Sequence, residues 1–291
     1  MKTNILLALK NILDNSNNEL LKVYEGKVHN RANNMGDALE YYIKDIFCNT
    51  IEINDFNEKE RIDSDYLSYM GNSNNPPDFI ITGDAAVEVK KLEGLGFGYI
   101  ALNSSHPKDK LHSDSTLINN ACRECENDLG GWNEKEMIYA VGNIKDNKLR
   151  VLWLLYGDCY CATEDIYLRI KNTIATGVKT ISGVEFAESN ELGRVNKVDP
   201  LGVTYLRIRG MWGIEHPMSV FSYLVDDYNK LNNYQVYVLI TKDKYNLLPK
   251  EDKENLLEYI LAGRLEKYDV EIKNPNNPAK YIDAVFFKAN L

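Results

Sequence analysis

Asp78, Glu88 and Lys90 are the residues whose types and spacing suggest chemistry. Asp78 follows Pro77 and opens a short apolar run, Phe79-Ile80-Ile81. Thr82-Gly83-Asp84 reads as a turn, and Ala85 to Leu92 alternates with the period of a second strand. Glu88 and Lys90 stand two apart, so on a strand their side chains leave the same face. If the two strands pair across the turn, Asp78 comes close to Glu88. Carboxylates that near repel one another, and a divalent cation between them relieves the repulsion. A lysine beside such a pair can orient or deprotonate water, or stabilise charge developing on a phosphate. The plainer reading is a half-exposed strand, with Val87 and Val89 inward and Glu88 and Lys90 in water.

The elements that must hold these residues alternate between helix and strand. Residues 4–14 and 18–28 have helical apolar spacing, and 34–48 is a stronger amphipathic case with Leu39, Tyr42, Ile43, Ile46 and Phe47 on one face. After the Asp78–Leu92 pair come a glycine-rich stretch, a strand over Tyr99-Ile100-Ala101-Leu102 and a polar segment through Ser115. Residues 116–128 and 163–175 read as helices, and Met137 to Ile144 pairs with Leu149 to Tyr156 as a hairpin. Further on, strands over Val203 to Met211 and Tyr234 to Thr241 alternate with helices over 217–231 and 251–265, and strands near 268–273 and 281–288 follow. This pattern predicts an α/β (α+β) fold with a mixed central sheet flanked by helices. No linker divides residues 1–291, so one domain is expected, with a core over about 34–176 and a C-terminal elaboration over about 177–291.

Composition bounds the function classes. The 291 residues are 44% hydrophobic and 26% charged, which is ordinary globular usage and argues against wholesale disorder. No apolar run approaches the roughly 20 residues of a membrane span, so a cytoplasmic protein without a membrane partner is expected. Five cysteines do not suggest a secreted disulfide framework. Cys122-x-x-Cys125 has zinc-ligand spacing that Cys159-x-Cys161 would have to complete, and reduced free thiols are the simpler expectation. The net charge of −9, from 34 Lys and Arg against 43 Asp and Glu, argues against a polyanion partner if taken alone. A cleft lined with Lys and Arg can still sit in an acidic molecule.

The motif Pro77-Asp78…Glu88-Val89-Lys90 resembles that of the PD-(D/E)xK nucleases. The resemblance implies that Asp78 and Glu88 bind Mg²⁺ and that Lys90 assists the attacking water in phosphodiester hydrolysis. It also implies a further carboxylate on a preceding helix, for which Glu40 is the best match and Asp37 the alternative. The chain is more narrowly similar to the NgoPII-type family of type II restriction endonucleases. That similarity rests on Pro77 through Lys91, on Ile100-Ala101-Leu102-Asn103-Ser104-Ser105-His106-Pro107-Lys108, and on Ala121-Cys122-Arg123-Glu124-Cys125-Glu126 ahead of a strand with Tyr139 and Gly142. It covers roughly residues 35–160. It implies a restriction-endonuclease-like core, a homodimer, a double-stranded DNA substrate, a short palindromic target with GGCC as a candidate, and a cognate DNA methyltransferase as genetic partner. A structure-specific repair or recombination nuclease, and a non-catalytic DNA-binding module on the same fold, are the alternatives.

Two further groups are candidates for DNA contact. Asn103, Ser104, Ser105, His106, Lys108 and Lys110 form a donor-rich segment one strand beyond the motif, suited to phosphates or base edges and otherwise a plain surface loop. Arg207 and Arg209 share one face of an expected strand and could read G·C pairs, or simply charge the outside of a sheet. His216-Pro217 precedes a helix and is expected to cap it.

Overall fold

The computed structural model describes residues 2–16, 18–19, 31–72, 75–189, 191–225 and 233–291, and for residues 31–37 the backbone only. Among the described residues the first elements are the helices α1 (Ile5–Asp14), α2 (Arg31–Cys48) and α3 (Phe56–Tyr66). Asn4 caps α1, its side chain accepting from Leu6 N and Leu7 N, and Asp55 caps α3 in the same way. Leu39, Tyr42, Ile43, Ile46 and Phe47 of α2 are all buried, as their spacing requires. Each such side chain contributes about 1.5–3 kcal/mol by leaving water. The helix expected over 18–28 falls mostly on residues outside those described. Helix α3 was not expected from the sequence, because the residues it buries, Lys59 and Asp63, are charged.

The strands in chain order are β1 (Leu67–Tyr69), β2 (Phe79–Ile81), β3 (Ala86–Glu93), β4 (Ile100–Asn103), β5 (Lys110–His112), β6 (Glu134–Lys145) and β7 (Lys148–Tyr156). They continue as β8 (Glu185–Phe186), β9 (Gly193–Asn196), β10 (Leu206–Ile208), β11 (Trp212–Ile214), β12 (Gln235–Thr241), β13 (Glu266–Asn274) and β14 (Asn277–Asn290). The main sheet has the order β1-β2-β3-β6-β7-β12-β14-β13, with β5 pairing the start of β6. Two pairs in it, β3 with β6 and β7 with β12, are parallel, so the sheet is mixed as expected. Strands β6 and β7 are apolar on both faces because both faces are covered. They join at Asp146-Asn147, where φ is 54° and 62°, the paired positive values of a two-residue hairpin turn.

Because β12, β13 and β14 belong to this sheet, it crosses the boundary expected near residue 176. The centre of the core lies there too. Trp153 of β7 stacks on Tyr237 of β12, Phe286 of β14 and Phe221, with ring centroids 4.8, 5.8 and 5.8 Å away. Residues 185–214 instead form the small sheet β10-β9-β8 and, through β11, a pair with β4 of residues 100–103. The single strand expected over Val203 to Met211 is thereby corrected: β10 ends at Ile208, and β11 begins at Trp212 in a different pairing. The helix expected over 116–128 shrinks to Asn120–Glu124 and a following 3₁₀ turn, and that over 251–265 divides into Lys250–Glu254 and Leu257–Leu261. Of the helix expected over 217–231, Pro217–Val220 is helical and residues 226–231 lie outside those described. His216 does cap it, with Nδ1 accepting from Met218 N at 3.0 Å.

A buried ion pair holds the β2–β3 turn in place. Glu126 is 2.8 Å from Lys135 Nζ, and both side chains are almost fully enclosed. Glu126 Oε1 also accepts from Gly83 N at 2.9 Å and from Ser68 Oγ at 2.8 Å, while Lys135 Nζ donates to Asp84 O at 3.0 Å. Burial opposes ionisation of Glu126, but Lys135, Gly83 N–H and Ser68 outweigh it and hold the carboxyl below its ordinary value. That stabilisation is present at neutral pH and is lost as pH falls through the lowered value. Glu126→Ala is expected to cost about 3 kcal/mol of unfolding free energy at pH 7, because it strands a buried ammonium. Urea denaturation measures it, and a loss below about 1 kcal/mol, the range of an exposed pair, would contradict this account.

Candidate active site

The β2–β3 hairpin sets the positions of the motif residues. Phe79 pairs with Val87 and Ile80 with Ala86, so the same register puts Asp78 opposite Glu88. Directly opposed residues have Cβ atoms about 5 Å apart. Pro77 has no N–H to give the ladder, which therefore ends at Asp78. Asp78 N donates to Val87 O at 3.0 Å, and Val89 N then donates to the Asp78 carboxylate at 2.6 Å in place of a backbone carbonyl. That bond fixes the side chain beside β3. Gly71 closes the other side: a Cβ there would lie 2.1 Å from Asp78 O, and its φ of 61° favours glycine.

The plain surface-strand reading of Glu88 and Lys90 does not survive. Their side chains retain 12% and 22% of their exposure, and Lys90 Nζ lies 2.6 Å from Glu88 Oε1. Both open, with Asp78, into a cleft of about 310 Å³ that Asn103, Ser104 and Ser105 also line. Burial is the main force raising the Asp78 carboxyl to about 7, and the charge of Glu88 adds to it. Lys90 and the Val89 N–H oppose that rise, whereas the charge of Glu40 reinforces it. Burial disfavours the Lys90 ammonium, yet the charges of Glu88 and Asp78 prevail and hold its value above the ordinary one.

Glu88 Oε2 is buried and has no hydrogen-bond partner among the described residues. An orphaned carboxylate oxygen next to a second repelled carboxylate is a donor set suited to a hard divalent cation. Mg²⁺ is commonly held by only one or two carboxylates and keeps several waters. No cluster of three or more His, Cys, Asp or Glu suited to a metal occurs among the described residues. Glu40 of α2 acts electrostatically on Asp78 and Lys90, but its own carboxylate is turned to Lys44 Nζ at 2.7 Å. The side chain of Asp37 is outside those described.

The donor-rich segment separates into parts. Asn103, at φ 54°, Ser104 and Ser105 reach the cleft. His106 and Lys108, candidates for DNA contact with a plain surface loop as the alternative, are both buried. His106 Nε2 is 3.1 Å from Glu164 Oε1, and burial, with Lys108 and Lys171, lowers the imidazole to about 4, so it is neutral at pH 7. Lys108 Nζ donates to Ser105 Oγ and to His106 O, which ties the segment down from behind. Lys110 on β5 is outside the cleft and pairs with Glu134 at 2.5 Å. Arg207 and Arg209 both bind Glu191. Thr116 and Leu117 also line the cleft, and sequence reasoning missed them because nothing local marks a residue that long-range packing brings in. All five cysteines are free; Cys125 Sγ donates to Ser68 Oγ at 3.7 Å, and Cys159 Sγ to Leu239 O at 3.9 Å, so the two motifs serve different neighbourhoods.

The raised Asp78 value has a measurable consequence. Folded Asp78 keeps its proton up to about pH 7, whereas the unfolded chain releases it near 3.8. Through that window a rise in pH destabilises the metal-free protein. Asp78→Asn removes the effect, so in chelator it is expected to unfold at a higher temperature than wild type at pH 8 and close to wild type at pH 4. Equal midpoints at pH 8 in scanning calorimetry would contradict the burial of a repelled carboxylate.

Comparison with known proteins bears on the chemistry of this cleft. A model of the NgoPII restriction endonuclease family matches residues 3–273. The chain is 43% identical over 292 aligned residues to the type II restriction enzyme NgoPII of Neisseria gonorrhoeae, covering 99% of this chain and all of that protein. No solved structure matches. Among the described residues no helix is long and apolar enough to cross a membrane. A match of this length and identity takes in the whole main sheet and the cleft, so the chain belongs to the NgoPII restriction endonuclease family and is a type II site-specific deoxyribonuclease.

Proposed function

We propose that this enzyme hydrolyses double-stranded DNA in a Mg²⁺-dependent reaction at a short palindromic site, with GGCC as the candidate, and leaves 5′-phosphate ends. It acts in the cytoplasm as a homodimer whose two-fold axis matches that of the target, beside a cognate methyltransferase that protects the host. The observation that carries the reading is the partnerless Oε2 of Glu88 beside the repelled Asp78 carboxylate. The family membership supports the DNA substrate.

Asp78 and Glu88 would hold the metal, and Glu40 would supply a supporting carboxylate from α2. Mg²⁺ held there would supply Lewis-acid activation of the phosphodiester and of the attacking water. Lys90, kept protonated by the two carboxylates, is suited to stabilise negative charge on the phosphate and to orient the water, more than to abstract its proton. Asn103, Ser104 and Ser105 are neutral donors at the cleft wall and hold the DNA backbone in register. Arg207 and Arg209 supply the cationic side of the interface.

Plasmid digestion tests this. Discrete fragments are expected in Mg²⁺, none in EDTA, and fragments again when excess Mg²⁺ is restored; cleavage that persists in EDTA would overturn the metal assignment. Lys90→Ala is expected to lower kcat by about 100-fold or more, as loss of one transition-state donor does. Its affinity for the mapped target in Ca²⁺ should stay within a few-fold of wild type, and a loss of affinity as large as the loss of rate would instead make Lys90 a binding residue.

A further inference from the structure

Beside the catalytic cleft lies a recess of about 160 Å³, and Ser104 and Leu117 line both. Arg209 opens into it together with Lys171, Glu191 and Trp212, whereas Arg207 is not among its lining residues. Glu191 binds the two arginines unequally. Its Oε2 accepts from Arg207 Nε at 3.0 Å and its Oε1 from Arg207 Nη2 at 2.5 Å, so one carboxylate fills the forked edge of Arg207. Arg209 donates to the same Oε1 through Nε at 2.6 Å, and its Nη1 and Nη2 make no hydrogen bond among the described residues.

A guanidinium reads guanine by pointing two N–H groups at O6 and N7. Arg209 has its outer pair free for this, beside the cleft, with the inner nitrogen pinned. Arg207 keeps an outer pair as well, but it does not open into the recess beside the cleft, so position and not hydrogen-bonding capacity separates the two arginines. Pinning also removes rotamer freedom before the ligand arrives, which leaves less to be lost on binding. Two arginines on one carboxylate keep one positive charge in excess.

We propose that Arg209 reads a guanine of the DNA target, that Glu191 is the positioning residue that aims it, and that Arg207 serves as the counter-ion that holds Glu191 in place. This assignment rests on the reading of the chain as a DNA endonuclease centred on Asp78, Glu88 and Lys90.

The test couples one protein group to one base atom. Once the cleavage ends have mapped the target, duplexes carrying 7-deazaguanine, which lacks the N7 acceptor, at each guanine in turn are cleaved by wild type and variants. Wild type is expected to lose about 10- to 100-fold in kcat/KM at one guanine, the range of a single bidentate base contact. Arg209→Ala is expected to be slow on both duplexes but to lose less than about twofold further on the modified one, since the partner of N7 is already gone. Arg207→Ala should keep most of the sensitivity, Glu191→Gln should reduce it, and Glu191→Asp should restore part of it. Where Arg209→Ala turns over too slowly, binding of the same duplexes in Ca²⁺ gives the comparison, and thermal midpoints near wild type, with Arg209→Lys as the charge-conserving control, exclude misfolding. The proposal is overturned if Arg209→Ala stays as sensitive as wild type at every guanine, if the mapped target contains no guanine, or if Arg209→Ala weakens binding to all sequences alike, the signature of a phosphate contact. Wild type that cleaves no DNA would bring down the endonuclease reading itself, whereas normal cleavage with undiminished sensitivity in Arg209→Ala fails the arginine assignment alone.

Discussion

Two carboxylates set opposite one another in a mostly enclosed cleft repel, and the surrounding structure is organised to keep them there. Asp78 cannot swing away, because its carboxylate is bonded to Val89 N–H and its backbone is pressed against Gly71. Glu88 cannot turn outward without leaving the Lys90 ammonium. The unfavourable proximity is therefore stored in a rigid sheet and not relaxed by side-chain motion. Such local destabilisation is what a site that waits for a cation requires, and it is balanced by favourable packing elsewhere.

That rigidity has its sources at a distance. The Glu126–Lys135 pair seizes the hairpin at its turn, the end opposite Asp78, and does so through backbone groups of Gly83 and Asp84. Parallel pairing with β6 locks β3 along its whole length, and β6 is backed by β7 and the aromatic stack on Trp153. Behind the cleft wall, the buried Lys108 ties Ser105 to the backbone of His106.

The legible part of this arrangement was the part written in local periodicity. Asp78, Glu88 and Lys90 were found because a two-residue period and a glycine turn fix their mutual placement within thirteen residues of chain. Strands β6, β7, β12 and β14 were legible because continuous apolar runs have few other uses. Helix α3 was not, since its buried residues are the polar Lys59 and Asp63, and Lys59 pairs with Asp45 of the preceding helix. The burial of His106 and Lys108 escaped for the same reason: Glu164, Tyr139 and Tyr167 enclose them, and none is near in sequence. Likewise Arg207-x-Arg209 looks like an outward charged face until Glu191, sixteen residues earlier, is seen to bind both.

The order of strands in the main sheet also governs when the enzyme can exist during synthesis. Strand β12 bonds to β7 on one side and to β14 on the other, so residues 277–290 are needed to complete a layer that begins with β1. Helix α1 is likewise clasped by late residues: Asn4 Nδ2 donates to Asp252 at 2.6 Å, Tyr259 OH to Asp14, and an Arg264 nitrogen to Leu13 O. Contacts of such sequence separation form late and together. A growing polypeptide therefore carries the catalytic hairpin and its β6–β7 support out of the ribosome well before β12 and β14 can complete the layer behind them.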